Sequence, residues 1–458
     1  MDRIVSKLRL ILLIVTVLTL AACCAPLKAQ AFCGFYVGKA DGTLVNHASQ
    51  VAVVRHDNKT VISMMNDYQG PMTDFALVVP VPVVLEKGQV HVGDPQLFAQ
   101  LEAYSTPRLV EYFDPDPCEI VRPMPLMAMA SGVGAAAPAA PPMQDRALGV
   151  TVEAQYTVGE YDIVILSAKQ SDGLETWLKQ NGYKIPPRAS AALAPYIKQD
   201  MKFFVAKVNL EEHRKTGLQY LRPIQFAFES PKFMLPIRLG MINANGPQDL
   251  IIYLLTRDGR VETTNYRTVK MPTGENIPEF VRDDFKGFYK SVFNEQVERN
   301  DMRAVFTEYA WNMGWCDPCA TSPLTPDELR SLGVFWLDQQ PPSRGQFMPA
   351  PYGGGAIPVM LTRLHVRYSA DSFPEDLVFQ ETGDSENYQA RYVMQHPWTG
   401  TENACPAAHS YFENLRARQM QEAQTLADLT GWSLDSVIKK AGLKGDQQPN
   451  PWWQKIWN

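Results

Sequence analysis

A chain of 458 residues with 45% hydrophobic and 20% charged residues, a net charge of −6 and a mean hydropathy of −0.20 has the balance of a globular protein. These values exclude a multispan membrane protein, a collagen, a coiled coil and a mostly disordered chain. The weak acidity argues against a nucleic-acid binder, which carries a basic stripe or domain.

The first element is an address. Arg3, Lys7 and Arg9 precede the uncharged run from Leu10 to Ala22. A basic start and a short apolar run make a secretory signal peptide, and the run falls short of the roughly 20 apolar residues of a spanning helix. Two exits from it are open. Leu20-Ala21-Ala22-Cys23 is similar to the bacterial lipobox, where cleavage after residues 1–22 leaves a lipidated Cys23 as a membrane tether. Ala29-Gln30-Ala31 fits ordinary signal peptidase, which would remove 1–31. Both place the body outside the cytoplasm, in the periplasm or on the envelope, where disulfides form.

Strands dominate the next part. Gln50–Arg55 and Thr60–Met65 are β-rich runs around a turn at His56–Lys59, which predicts a hairpin. Phe75–Leu85 continues with alternating Val and Pro, and proline predicts an edge strand or an extended crossover. Asp94–Ala103 reads as a short helix, and Tyr112–Cys118 as extended or turning. Residues 122–147 are rich in Pro, Ala, Met and Gly and read as a loop or linker. Strands resume at Val150–Glu153 and Tyr161–Ala168, and a helix runs from Asp172 to the Asn181-Gly182 stop. Met201–Leu210, Ile224–Glu229 and Leu250–Thr256 read as strands, with Asp258-Gly259 as a hairpin turn into Val261–Val269.

Helices are commoner later. Pro278–Arg299 has apolar residues near helical spacing and reads as one long helix. Ala304–Trp311, Val334–Leu337 and Pro358–Tyr368 read as strands; Thr325–Leu332 and Glu413–Leu429 read as helices, followed by a smaller helix capped by Ser433. Residues 338–355 form a second Pro/Gly-rich loop, and an aromatic tail with Trp452, Trp453 and Trp457 ends the chain. Runs of strands followed by helices predict an α+β fold. A β-rich domain over 32–271 and a mixed domain over 278–458 would meet at the turn-like Met271–Gly274.

The seven cysteines are Cys23, Cys24, Cys33, Cys118, Cys316, Cys319 and Cys405. Chain order suggests pairing Cys33 with Cys118 and a C-terminal set of Cys316, Cys319 and Cys405, although spacing does not determine connectivity. Cys316-Asp317-Pro318-Cys319 follows Trp315 and resembles the redox site of thioredoxins, with Asp where those have Gly. Such a site needs a thiol of lowered pKa at a helix N-terminus. Here Pro323 and Pro326 interrupt the helix that should follow, and Asp317 would raise a neighbouring thiolate. The plainer reading is a structural pair. Cys316, Cys319, Cys405 and His409 also have the spacings of a structural zinc site.

Weaker patterns carry little. Met124, Met127, Met129 and Met143 are soft ligands of the type that selects Cu(I), without a histidine beside them. Asp114 with Asp116, and Asp283 with Asp284, offer too few oxygens for calcium and read as turns. Ser436 and Lys439 match an acyl-enzyme spacing without its companion motifs.

Several strings point to a family. They are A-F-C-G-F-Y-V at 31–37, N-D-Y-Q-G at 66–70, F-A-L-V-V-P-V-P at 75–82 and, above all, P-R-L-V-E-Y-F-D-P-D-P-C at 107–118. W-C-D-P-C at 315–319 and R-L-H-V-R-Y at 363–368 add to them. They resemble the bacterial family termed domain of unknown function 2330. The resemblance implies an exported bacterial protein and carries over no functional residue. The expected function is a non-catalytic binding or structural lipoprotein of the envelope, without a cofactor or a nucleic-acid partner. The alternatives are thiol–disulfide exchange at Cys316 and Cys319, and zinc binding.

Overall fold

The computed structural model describes residues 35–38, 45–46, 49–65, 68–69, 75–119, 151–169, 171–183, 189–218, 221–242, 246–315, 317, 321–339 and 357–443. These residues form the α+β fold that the pattern of elements predicts. They stack in four layers: helices, a five-stranded sheet, a nine-stranded sheet, and more helices.

The five-stranded sheet is antiparallel. Its spatial order is Phe35–Gly38, Phe75–Val81, Lys202–Val208, Tyr161–Ser167, Thr151–Val158. Side chains alternate across it. Leu77, Val79, Phe204 and Ala206 face the large sheet, while Ala76, Val78, Phe203 and Val205 face the helices Ser171–Gln180 and Ala189–Lys198. A period of two thus lets one strand serve two cores, and each fully buried large apolar side chain contributes about 1.5–3 kcal/mol.

The edge reading of Phe75–Leu85 is corrected in part. The strand has neighbours on both sides, but Phe35–Gly38 accompanies it only to Val78, whereas Lys202–Val208 continues past Pro80 to Val81. Pro80 therefore stands where one flank has no described neighbour, a position that tolerates a residue without an N–H.

The large sheet is mixed. Its path is Arg267–Lys270, Ala304–Asn312, Met360–Tyr368, Gln248–Thr256, Ser49–His56, Lys59–Met65, Ile224–Glu229, Val90–Val92, with Tyr388–Gln389 added beside Ala304–Asn312. The expected hairpin is present, with His56 opposite Lys59. Val51, Ile62, Phe226, Ile252 and Leu364 face the smaller sheet. Two helical patches cover the other face. Helices Pro95–Ser105 and Pro326–Ser331 and the 3-10 turn Phe335–Gln339 lie over Val54, Leu255 and Leu361 around Trp336. Helices Phe285–Arg299, Pro406–Thr430 and Leu434–Lys440 lie over Ala304 and Phe306. The sheet takes strands from both sides of residues 271–278, so that stretch does not separate two cores.

Other differences have local causes. Asp258-Gly259 does not close a hairpin, because Gln248–Thr256 is already flanked by Met360–Tyr368 and Ser49–His56, and Val261–Thr263 pairs with Leu377–Glu381 instead. The long helix expected from Pro278 is a 3-10 stretch, Glu279–Asp284, followed by Phe285–Arg299; the Asp284 carboxylate accepts from Gly287 N at 2.9 Å and caps a new start. Val334–Leu337 is not a strand: Phe335 opens the 3-10 turn Phe335–Gln339. Ala189–Lys198 and Leu210–Thr216 are helices that the sequence reading omitted. Among the described residues no helix is long and apolar enough to cross a membrane.

Candidate functional site

Residues 1–34 and 120–150 lie outside the described residues, and with them Cys23, Cys33 and the methionines of the Pro/Ala/Met-rich stretch; so do Cys316 and Cys319. Cys118 and Cys405 form a disulfide with Cα atoms 5.9 Å apart. This corrects the pairing of Cys33 with Cys118. The strand Arg108–Phe113 runs parallel to Arg391–His396, and the turns that follow both strands are thereby brought together from distant sequence. The disulfide also corrects the zinc quartet, because a bonded Cys405 sulfur is not a thiolate ligand. His409 is exposed on the first turn of its helix, 3.2 Å from Glu402 and 3.6 Å from Glu413. Among the described residues no group of three His, Cys, Asp or Glu is placed to hold a metal.

Asp317 is the described residue of the C-D-P-C motif. It is buried and accepts from the Tyr309 hydroxyl at 3.1 Å and from Gln389 at 3.3 Å. Residues 321–325 are not helical, and the next helix starts at Pro326 under a Thr325 cap. Asp116 accepts from Cys118 N at 2.8 Å, as a turn residue does. Asp114 is saturated by both Arg418 amino groups at 3.0 and 2.7 Å, the Tyr411 hydroxyl at 2.6 Å and Gln395 at 2.8 Å. The Ser436 hydroxyl donates to the Ser433 carbonyl at 2.8 Å.

The structure adds a charged network that the sequence reading missed. The strand Ala304–Asn312 has a register shift between Thr307 and Tyr309. Phe306 lies opposite His365 and Tyr309 opposite Arg363, so Glu308 is the extra residue. A bulge of this kind re-aims a side chain. Here it turns Glu308 onto the face of Arg363 and His365, between the two helical patches. Arg363 Nε lies 2.6 Å from Glu308 Oε2, and its amino groups grip Glu102 at 2.7 and 3.1 Å. His365 Nδ1 and the Tyr289 hydroxyl reach Glu308 Oε1 at 2.7 and 2.5 Å; the Tyr253 hydroxyl donates to Glu102 at 2.5 Å. Burial alone would raise the Glu308 carboxyl, but His365 and Arg363, with the hydrogen bonds of His365 and Tyr289, hold it down at about 2. The network ties helix Pro95–Ser105, through Glu102, and helix Phe285–Arg299, through Tyr289, to one sheet. Its chemistry is that of a satisfied buried ion cluster.

Open space lies elsewhere. A cavity of about 180 Å³ is lined by Ile62, Met64, Phe226 and Phe228 of the large sheet and by Val79 of the small one, with Pro80 beside it. The segment from Ser230 to Pro236 and Met201 complete its wall. Pro80, Pro82, Pro231 and Pro236 all line it. Proline has a fixed φ and no N–H, so these positions give a rigid wall without unpaired donors. Methionines 64, 201 and 234 add polarizable side chains that adapt to a guest. The polar lining is Gln199, Ser230 and Lys232, of which Gln199 and Lys232 are exposed, so the cavity reaches the surface there. The lining contains no carboxylate, histidine or cysteine. Such a surface can hold an apolar guest and supplies no acid–base pair or nucleophile dyad. One sequence signal points here: the Val-Pro alternation at 79–82, which by itself indicates only an edge strand or an extended crossover.

The architecture and cavity define a four-layer α+β protein with an apolar pocket between its sheets. The family described as "Uncharacterized protein conserved in bacteria (DUF2330)" matches residues 27–380, and the chain belongs to this family. No curated protein and no solved structure matches the chain.

Proposed function

We propose that the protein is an exported, non-catalytic binding protein of the bacterial envelope, tethered through a lipidated Cys23, that holds a small apolar ligand between its two sheets. The cavity carries this reading. Concave, largely apolar sites with few polar groups are the usual form of a small-molecule site. An engineered cavity of about 150 Å³ is known to admit benzene, so 180 Å³ accommodates a ring or a short chain. Export is supported by the basic-then-apolar N-terminus and by the Cys118–Cys405 disulfide, a bond typical of oxidising compartments.

The test is binding of a polarity-sensitive naphthalene dye to the full chain. Expected is blue-shifted emission with the native protein and its loss in Met64→Trp, which fills the cavity, while cooperative thermal unfolding shows that the variant is folded. Equal binding by both proteins would overturn the cavity as the site. For the tether, intact mass from the native host should show diacylglycerol on Cys23; an N-terminus at Phe32 would remove it.

A further inference from the structure

The cavity is apolar inside, yet Lys232, the one charged residue of its lining, has no carboxylate within ion-pair distance among the described residues. We infer that its ligand is a small monocarboxylic acid, with the tail among the prolines and methionines and the carboxylate at Lys232. This rests on the cavity being a binding site at all. Lys232 Nζ donates to Gln199 Oε1 at 2.8 Å across the rim. Among the described residues no carboxylate lies within ion-pair distance of Lys232; the nearest acid along the chain from Gln199 is Asp200, which is engaged by Lys202 at 3.0 Å. An ammonium has three donors, and among the described residues Lys232 spends one of them, on Gln199.

A second cation stands behind the rim. Arg55 is buried and donates to the carbonyl of Ser230 at 2.9 Å and to the Thr60 hydroxyl at 2.7 Å, with its guanidinium 5.3 Å from the Phe233 ring centre. No described carboxylate lies within ion-pair distance of it, but Asp57 and Glu381 are near enough to act on its charge. Lys232 at the apolar opening therefore carries the preference: it favours an anionic head and disfavours an ammonium. The volume limits the tail to about six carbons or one phenyl ring, by comparison with the benzene-sized cavity. Larger acyl chains would have to leave the pocket.

The experiment is isothermal titration of the full chain with hexanoate, phenylacetate, hexan-1-ol and hexylamine. Hexanoate or phenylacetate should bind about tenfold more tightly than hexan-1-ol, the scale of one charge-assisted hydrogen bond, with hexylamine weakest. The tighter of the two acids identifies the tail as chain or ring. Lys232→Met keeps the length of an exposed side chain and should bring acid and alcohol to within about twofold. Equal affinities for acid and alcohol in the native protein, or an acid preference that survives Lys232→Met, would defeat the carboxylate inference while leaving an apolar site intact. If none of the four binds and the dye does not bind either, the cavity reading fails with it. Binding seen only when Trp452 and Trp453 are replaced by alanine would make the chain's own tail the occupant and overturn the inference.

Discussion

Oε1 of Glu422 lies 3.3 Å from Nε of Arg418, close enough for an ion pair but outside hydrogen-bond geometry, and both atoms are buried without a hydrogen-bond partner among the described residues. Arg418 spends its two amino groups on Asp114 instead. Burial therefore pushes the Glu422 carboxyl up to about 7, with Arg418 opposing and Asp114 and Glu279 adding to the rise.

That raised value has a sign. The folded protein binds a proton at Glu422 that the unfolded chain releases near pH 4.5, so stability from this group falls as pH rises from about 4.5 through 7. The fall should approach about 3 kcal/mol at pH 8. Glu422→Gln should flatten it, leaving the variant more stable than the native protein at pH 8 and nearly equal to it at pH 5. Urea unfolding at the two pH values measures this, and equal shifts at both would refute it.

Glu308 behaves oppositely. Its carboxyl is held at about 2, so its contribution is full above about 4.5 and is lost as pH falls toward 2. Glu308→Gln breaks a buried cluster and should cost about 3–5 kcal/mol at pH 7, because Arg363 and His365 keep their buried positions beside a neutral partner. The cost should shrink in acid. A pH series of unfolding midpoints for both proteins checks it.

His213 is 3% exposed, and neither ring nitrogen has a hydrogen-bond partner among the described residues. An unsatisfied buried polar group costs about 1–3 kcal/mol. His213→Leu should therefore raise the thermal midpoint, with a gain of about 1–2 kcal/mol after imperfect packing is allowed for. A lower midpoint would mean that the imidazole has a partner beyond the described residues.

The Cys118–Cys405 bond joins positions 287 apart in sequence. Cross-links over long loops restrict the unfolded chain, and removing one typically costs about 2–5 kcal/mol. Cys118→Ser with Cys405→Ser should lose that much in urea unfolding without reductant, and reductant should then have no further effect attributable to this pair.

Local patterns in the sequence located many elements. The Ser49–Met65 hairpin, the Asp94 and Thr325 caps and the helix ahead of Gly182 all rest on residues within a few positions of each other. Choices settled by distant partners were not legible. Asp258-Gly259 has the residues of a hairpin, but the flanks of the preceding strand are taken by residues 49–56 and 360–368. The bulge that turns Glu308 inward is a matter of register against Met360–Tyr368, and within A-V-F-T-E-Y-A-W its only trace is one acid in an apolar strand. The cavity depends on how two sheets separate near Pro80 and Pro82, which single-strand periodicity does not encode. Cys118 and Cys405 meet because two parallel strands align, whereas chain order suggests Cys33 as the partner of Cys118.

The position of that disulfide gives the chain an unusual tolerance of backbone cleavage. Cys118 lies at the end of the piece that supplies Ser49–His56 and Lys59–Met65 to the middle of the large sheet, and Cys405 lies far into the remainder. A protease cut anywhere between Glu119 and Thr151 would divide the polypeptide into two, yet the fragments would stay covalently joined and interleaved. On a gel they would migrate as one species until a reductant parted them, so a nicked molecule would retain both halves of its sandwich.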